Sequence, residues 1–378
     1  MKFTEYFIDS LKSKKNEVLQ LHGIRAIAIL LVLFYHCSEV LPAKYLMSTP
    51  FKYLIKIVRN GWVGVDIFFV LSGFLIGGQL IKEIKTTGAL NFKKFYLKRI
   101  LRIFPAYYIA LIIYIFVDKK YNEYLLIINQ ILYLHNYLGY IYGISWSLAI
   151  EEQFYLLLPY FLYSIRIFIR CNLKITFYIF CAVISLPLIF RTIAYFNLKN
   201  IYDTQFIIDN IYILFHTRLD ELMYGVLASW LYLEKKATRL YSNIFFQMLL
   251  LIIIYSMIYI SGFSGSAYKI IFQFSILGFI FSQFMITIMY IKKNIICRIL
   301  QSSFFVFISK ISYALYLYHE ITIILFKKNN IHFNEIFNSP ILNYFLYFIV
   351  IFSLTIIISL LSWYIVEYPF LKIKDKLT

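Results

Sequence analysis

Residues 21 to 36 read Leu21-His-Gly-Ile-Arg-Ala-Ile-Ala-Ile-Leu-Leu-Val-Leu-Phe-Tyr-His36. The stretch is almost wholly apolar, shows no strand-like alternation, and carries an arginine at 25 and a histidine at 36. Continued to about residue 41, it is long enough as a helix to cross a hydrocarbon layer of ~30 Å. Inside lipid a helix satisfies its own backbone, whereas an isolated strand cannot. Comparable runs recur near 62–81, 100–117, 150–169, 174–196, 211–233, 243–261, 268–291, 301–326 and 341–364. The expected fold is an all-α integral membrane protein of about ten transmembrane helices, and a β-barrel is rejected.

Composition agrees. The 378 residues are 61% hydrophobic, 20% aromatic and only 15% charged, with a mean hydropathy of +0.74. A soluble core has no use for that much apolar surface. The formal charge of +18 would suggest nucleic acid in a soluble chain, but the basic residues fall on short loops without a reading element. They read instead as topology: the most basic connection, 82–102, lies on the same side as the N-terminus, which predicts N-in and C-in. Trp62 and Trp146 are then expected at the outer interface, Trp230 and Trp363 at the inner one.

The expected organisation is a cytoplasmic segment 1–21, amphipathic or disordered, a membrane domain 22–369 and a cytoplasmic tail 370–378, without a further soluble domain. The first run is expected to be retained rather than cleaved, because Arg25 and His36 interrupt it. The connection 118–149 is expected outside, with a short apolar stretch, 124–134, too brief to span. Cys37, Cys171, Cys181 and Cys297 show neither disulfide nor metal-ligand spacing.

Ionisable groups at bilayer depth cost at least ~2.5–3.5 kcal/mol, so each needs a partner, a cavity or a function. Arg25 and His36 are eleven residues apart, about three turns plus 20°, and so share one helix face roughly 16 Å apart along the axis. Asp66, in Gly61-Trp-Val-Gly-Val-Asp-Ile-Phe-Phe-Val-Leu-Ser-Gly-Phe-Leu-Ile76, enters the second run from outside, at the expected depth of His36. Glu151 and Glu152 open the fourth run, pointing about 100° apart, so one is expected toward solvent and the other toward the bundle. Arg218, Asp220, His319 and Glu320 add polar groups to the outer half. Lys98, Arg99 and Arg102, before Pro105, form a basic inner mouth. Structural alternatives exist for each: an interfacial cation for Arg25, a buried hydrogen-bonding ring for His36, a solvated helix start for the glutamates, lipid contact for the basic loop. Gly61, Gly64 and Gly73 are assigned to close helix packing.

Together these blocks resemble the acyltransferase 3 family of integral-membrane acyltransferases. The resemblance rests on Arg25-x10-His36, on Gly-Val-Asp66-Ile-Phe-Phe-Val-Leu-Ser72, on Lys98-Arg99-x-x-Arg102-Ile-x-Pro105, on Trp146-Ser-Leu-x-x-Glu151-x-x-Phe-Tyr155, on Ile311-Ser-Tyr-x-Leu-Tyr-Leu-x-His319 and on Val366-Glu-x-Pro369. His22 departs from it, standing where the family usually has an acidic residue. The resemblance implies a ten-helix membrane domain of the inner (cytoplasmic) membrane that moves an acyl group, most often acetyl from acetyl-CoA, to a hydroxyl of an envelope polysaccharide or its lipid-linked precursor. It is similar to stand-alone members such as O-antigen O-acetyltransferases of lipopolysaccharide.

On that basis Arg25, Arg99 and Arg102 are expected to hold the CoA phosphates, since guanidinium binds phosphate bidentately. His36 is the expected general base, with Glu151 or Asp66 orienting it. Ser72, Trp146, Tyr155, Arg218 and His319 are expected to contact the acceptor or the developing oxyanion. No metal and no nucleic-acid partner are expected. Two other readings stand beside this one: a transporter with a proton path through the same groups, and a relay that hands acyl groups to a separate external transferase.

Overall fold

A computed structural model describes residues 17–38, 52–120, 122–197, 203–262, 266–291, 293–329 and 336–376. The expected N-terminal segment lies outside these up to residue 16, as do the last two residues of the tail. The described residues are helical and contain no strand. Each expected apolar run overlaps one helix of 17 residues or more: α1 Leu19–Ser38, α2 Val63–Thr87, α3 Phe92–Asp118, α4 Trp146–Ser164, α5 Leu173–Asn197, α6 Phe215–Leu233, α7 Ile244–Ile260, α8 Gln273–Tyr290, α9 Ser312–Lys328 and α10 Pro340–Ser362.

Among the described residues, six stretches are long and apolar enough to cross a membrane, namely Leu19–Ser38, Val63–Thr87, Phe92–Asp118, Leu173–Asn197, Tyr268–Tyr290 and Leu342–Asp375. The chain is a multi-pass membrane protein. Helices α4 and α6 fall outside this set because they carry polar residues of interest, Glu151 and Glu152 in one and Arg218, Asp220 and Glu221 in the other, while α9, with His319 and Glu320, is also only 17 residues long. Helix α7 is apolar but short.

The chain forms two compact units. The first comprises Met1–Gly64, Asn91–Tyr124 and Arg298–Thr378, and so holds α1, α3, α9 and α10. Helix α1 packs on α9, α10 and the short helix Ser303–Lys310, burying Ala26, Ala28, Ile29 and Val32 completely. Asn91 starts α3 by accepting from Lys94 N at 2.9 Å, a cap that extends the helix upstream of the apolar run. The expected single run at 301–326 is two helices with a turn at Ile311. That turn separates Lys310, whose Nζ donates to Glu17 Oε2 at 2.7 Å, from α9.

The second unit, Val65–Leu90 and Leu125–Cys297, is built around α6, which packs on α5, α8 and α4. A Cβ at Gly73 of α2 would collide with the carbonyl of Leu222, and one at Gly225 of α6 with that of Val70. The two helices therefore cross backbone to backbone, as small residues allow in membranes. Trp62, Trp230 and Trp363 are buried in protein rather than presented outward as an interfacial belt; Trp230 meets Phe180 edge-on at 5.8 Å, so inter-helix packing claims the indole. The apolar stretch 124–134 contains the short helix Tyr124–Ile131, with Tyr124, Leu125 and Ile128 exposed.

Candidate active site

In the first unit the functional candidates gather on α1 and α9. His36 is half-buried, and its Nδ1 lies 3.0 Å from the carbonyl of Val32, one turn back on the same helix. A carbonyl only accepts, so Nδ1 carries the hydrogen and the neutral ring keeps its lone pair on Nε2. His319, fully buried, repeats the arrangement: Nδ1 donates to Tyr316 O at 2.7 Å and lies 3.2 Å from Leu315 O. The two imidazole centroids are 5.0 Å apart. Arg25 is half-buried on the same unbroken α1.

At the N-terminal end of α1, His22 stands in a polar cluster. Its Nδ1 lies 2.9 Å from Ser309 Oγ and its Nε2 3.2 Å from Glu17 Oε2, while Glu17 also accepts from Lys310. A carboxylate thus reaches this neighbourhood from residue 17. On α3, Arg99 is half-buried with its guanidinium 5.7 Å from the Phe95 ring. Arg102 is exposed and within electrostatic range of Glu367.

In the second unit Arg218 is completely buried. Its Nη2 donates to Asp66 Oδ1 and, at 2.9 Å, to Glu221 Oε2; Nη1 donates to Tyr212 O at 3.0 Å. Four rings surround the guanidinium, with centroids at 4.1 Å for Phe274, 4.6 Å for Tyr212, 5.5 Å for Phe69 and 5.8 Å for Trp146. Trp146 is therefore a wall of the Arg218 site. Arg191 forms a second centre beside it, donating through Nη2 to Asp220 Oδ2 at 2.7 Å and Ser275 Oγ at 2.6 Å, and through Nε to Ile271 O at 2.9 Å. Tyr212 and Ile271 belong to π-helical turns, Ile208–Tyr212 and Tyr268–Phe272, whose widened geometry disturbs the usual backbone ladder. Guanidinium groups take up the carbonyls.

Sequence reasoning did not single out Arg191 or Glu221. Both were detectable: Arg191 sits inside the apolar run 174–196, and Glu221 follows Arg218 by three residues, one turn of the same helix face.

Glu151 accepts from Ser72 Oγ at 2.6 Å, which joins α4 to α2 in one polar contact. Glu151 and Glu152 are both half-buried, not one inward and one outward. The reason is that the preceding connection folds over this end of α4: Gln153 Nε2 donates to Tyr133 O and to Asn136 Oδ1, each at 2.8 Å. In that cover His135 is completely buried with Nε2 3.1 Å from Ser145 Oγ, and burial lowers its pKa to about 4. Tyr155 is buried on α4 two turns below Ser147.

Residues 18–364 match the family model of the acyltransferase 3 type, described as an acyltransferase domain. A Staphylococcus aureus (strain COL) relative named as a candidate O-acetyltransferase is 30% identical, over 98% of this chain and 59% of its own length. The peptidoglycan O-acetyltransferase of Listeria monocytogenes is 28% identical over 48% of this chain and 30% of its own. A Bacillus subtilis relative named as a candidate peptidoglycan O-acetyltransferase is 28% identical over 45% and 28%. The chain thus spans 59% of the length of the Staphylococcus relative. No solved structure matches. With a membrane bundle, an Arg25 and His36 helix and a family model covering nearly all of it, the chain belongs to the acyltransferase 3 family.

Proposed function

We propose that the chain transfers an acyl group, acetyl in the first instance, from a CoA thioester to a hydroxyl of a cell-envelope glycan. The observation that carries this reading is His36: its tautomer is fixed by Val32 O, leaving Nε2 as a base, on one helix with Arg25 in a chain of this family. Nε2 removes the hydroxyl proton as the oxygen bonds to the thioester carbonyl carbon. Collapse of the tetrahedral centre breaks the C–S bond, and the proton passes from the imidazolium to the sulfur, leaving an ester and the CoA thiol. Arg25, Arg99 and Arg102 bind the phosphates of the donor. Glu151, hydrogen-bonded by Ser72, and Asp66, paired with Arg218, are the further side chains that this reading assigns to activity.

In this reading all ten long helices cross the inner membrane with both ends cytoplasmic, and the polar content of α4, α6 and α9 faces protein rather than lipid. The names of the Listeria and Bacillus relatives favour a peptidoglycan sugar as acceptor over a lipopolysaccharide one. Because the relatives extend beyond the region matched, a relay of the acyl group to a separate transferase is the second reading. Detergent-purified protein given acetyl-CoA and chitopentaose separates them: ester formation by this chain alone supports direct transfer, and thioester consumption without ester supports the relay. His36→Ala is expected to lower turnover by about 10²–10⁴-fold, the range of a positioned base. Normal turnover in a well-folded His36→Ala protein would remove the proposal.

A further inference from the structure

Beside Arg25, the N-terminal end of α1 meets a second cation that the proposed transfer leaves unused. Lys310 closes the short helix Ser303–Lys310, which packs on α1 and is tied to it where Ser309 Oγ lies 2.9 Å from His22 Nδ1. The Lys310 ammonium donates to both oxygens of Glu17, at 3.0 and 2.7 Å. That carboxylate also lies 3.2 Å from His22 Nε2, so the neutral ring donates to Glu17 and accepts from Ser309, and both of its nitrogens are occupied. His22 and Arg25 are three residues apart, one turn along the same helix face. The charged groups acting on the His22 ring are Arg25, Lys310 and Glu17, two cations to one carboxylate. An ammonium has three N–H bonds. Among the described residues Lys310 Nζ meets no acceptor other than the two oxygens of Glu17, which leaves one N–H, and its side chain keeps 10% of its surface open.

We infer that Lys310 and Arg25 together bind the donor phosphate next to the pantetheine arm, with Glu17 holding the ammonium in place for it. This deepens the proposed function and rests on it. Length selects that phosphate. About fourteen bonds separate its phosphorus from the thioester carbonyl carbon, and at roughly 3.3–3.6 Å per three bonds of extended chain they reach about 16 Å. Arg25 and His36 are separated by the same distance, roughly 16 Å along the axis of α1. A thioester anchored by this phosphate at Arg25 therefore presents its carbonyl at the level of the His36 base. The two cations are complementary: a guanidinium takes two phosphate oxygens side by side, and an ammonium adds a point charge. A free lysine would lose rotamer freedom on binding, whereas one already bonded to Glu17 has less to lose. Arg99 and Arg102 on α3 then remain for the 3′-phosphate.

The test compares acetyl-CoA, S-acetyl-4′-phosphopantetheine and S-acetylpantetheine, the last without any phosphate, by thiol release in detergent-purified protein with chitopentaose. In the parent protein, removing the last phosphate should lower kcat/KM by about tenfold or more, the effect of losing charge-assisted bonds. Equal values for the two pantetheine donors overturn the assignment, whatever any variant does. Lys310→Met should lower kcat/KM roughly 10–100-fold for acetyl-CoA and for the phosphopantetheine donor, without a matching loss for S-acetylpantetheine, and Lys310→Arg should recover part of it. An equal loss with all three donors makes Lys310 structural, and a loss with acetyl-CoA alone moves it to the 3′-phosphate; either result overturns the assignment. A parent protein that releases no thiol from any donor removes the proposed function itself, whereas an active parent whose Lys310→Met variant keeps the full preference for phosphorylated donors removes only this site.

Discussion

At the scale of single residues, the contacts of Glu151 and His22 are the most telling. Ser72 Oγ donates to Glu151 at 2.6 Å, a charge-assisted bond that fixes a half-buried carboxylate in one direction. If Glu151 is needed for transfer, Ser72→Ala should lower the rate of acetylation by about tenfold, corresponding to the loss of roughly one hydrogen bond. Glu151→Gln should cost more, and the double substitution no more than Glu151→Gln alone, because the two side chains act as one unit. Additive losses in the same transfer assay would show that they act separately. The resemblance implies an acidic residue where His22 stands, and Glu17, just before the helix, brings a carboxylate to it. Glu17→Gln is therefore expected to reduce activity and His22→Asp in that background to restore part of it, measured as acetyl-CoA turnover in purified protein.

At the scale of elements, the crossing of α2 and α6 and the cover over α4 are set by opposite means, small residues in one and polar bonds in the other. Gly73→Ala places a methyl group against the Leu222 carbonyl, and overpacking of this kind costs typically 1–3 kcal/mol. A lowered midpoint of thermal unfolding in detergent, with no such effect for an alanine at exposed Thr86, is the expected outcome. In the cover, burial lowers the His135 pKa from 6.5 to about 4, so the folded cover binds fewer protons than the unfolded one between these values. Its contribution to stability is complete above about pH 6.5 and is lost progressively as pH falls toward 4. Protection factors for the amides of residues 124–145, which divide out the intrinsic pH dependence of exchange, should fall on acidification through this window, and His135→Gln should flatten the response.

At the scale of the whole molecule, the second unit is pinned at its centre by charge rather than by apolar packing alone. Arg191 on α5, Asp220 on α6 and Ser275 on α8 meet in one fully buried cluster, next to the Asp66, Arg218 and Glu221 group. Removing one member leaves an uncompensated buried charge, so Asp220→Asn is expected to destabilise by about 3–5 kcal/mol, read as loss of folded protein in fluorescence-detected size exclusion. The apolar runs announced most of the architecture, because lipid imposes a length and a polarity on any crossing helix. Arg25, His36, Asp66 and Arg218 were equally visible as charges in the wrong solvent. The sequence alone therefore determined an all-helical membrane protein, its family blocks and the residues worth asking about. Which of those residues meet was decided by tertiary structure. Asp66 and Arg218 are 152 positions apart and pair through their side chains, Ser72 reaches Glu151 across 79, and His319 comes beside His36 although most of the chain separates them. Periodicity fixes the face a side chain occupies on its own helix; only packing between helices fixes what stands opposite it, and there the burial of charge selects its partner.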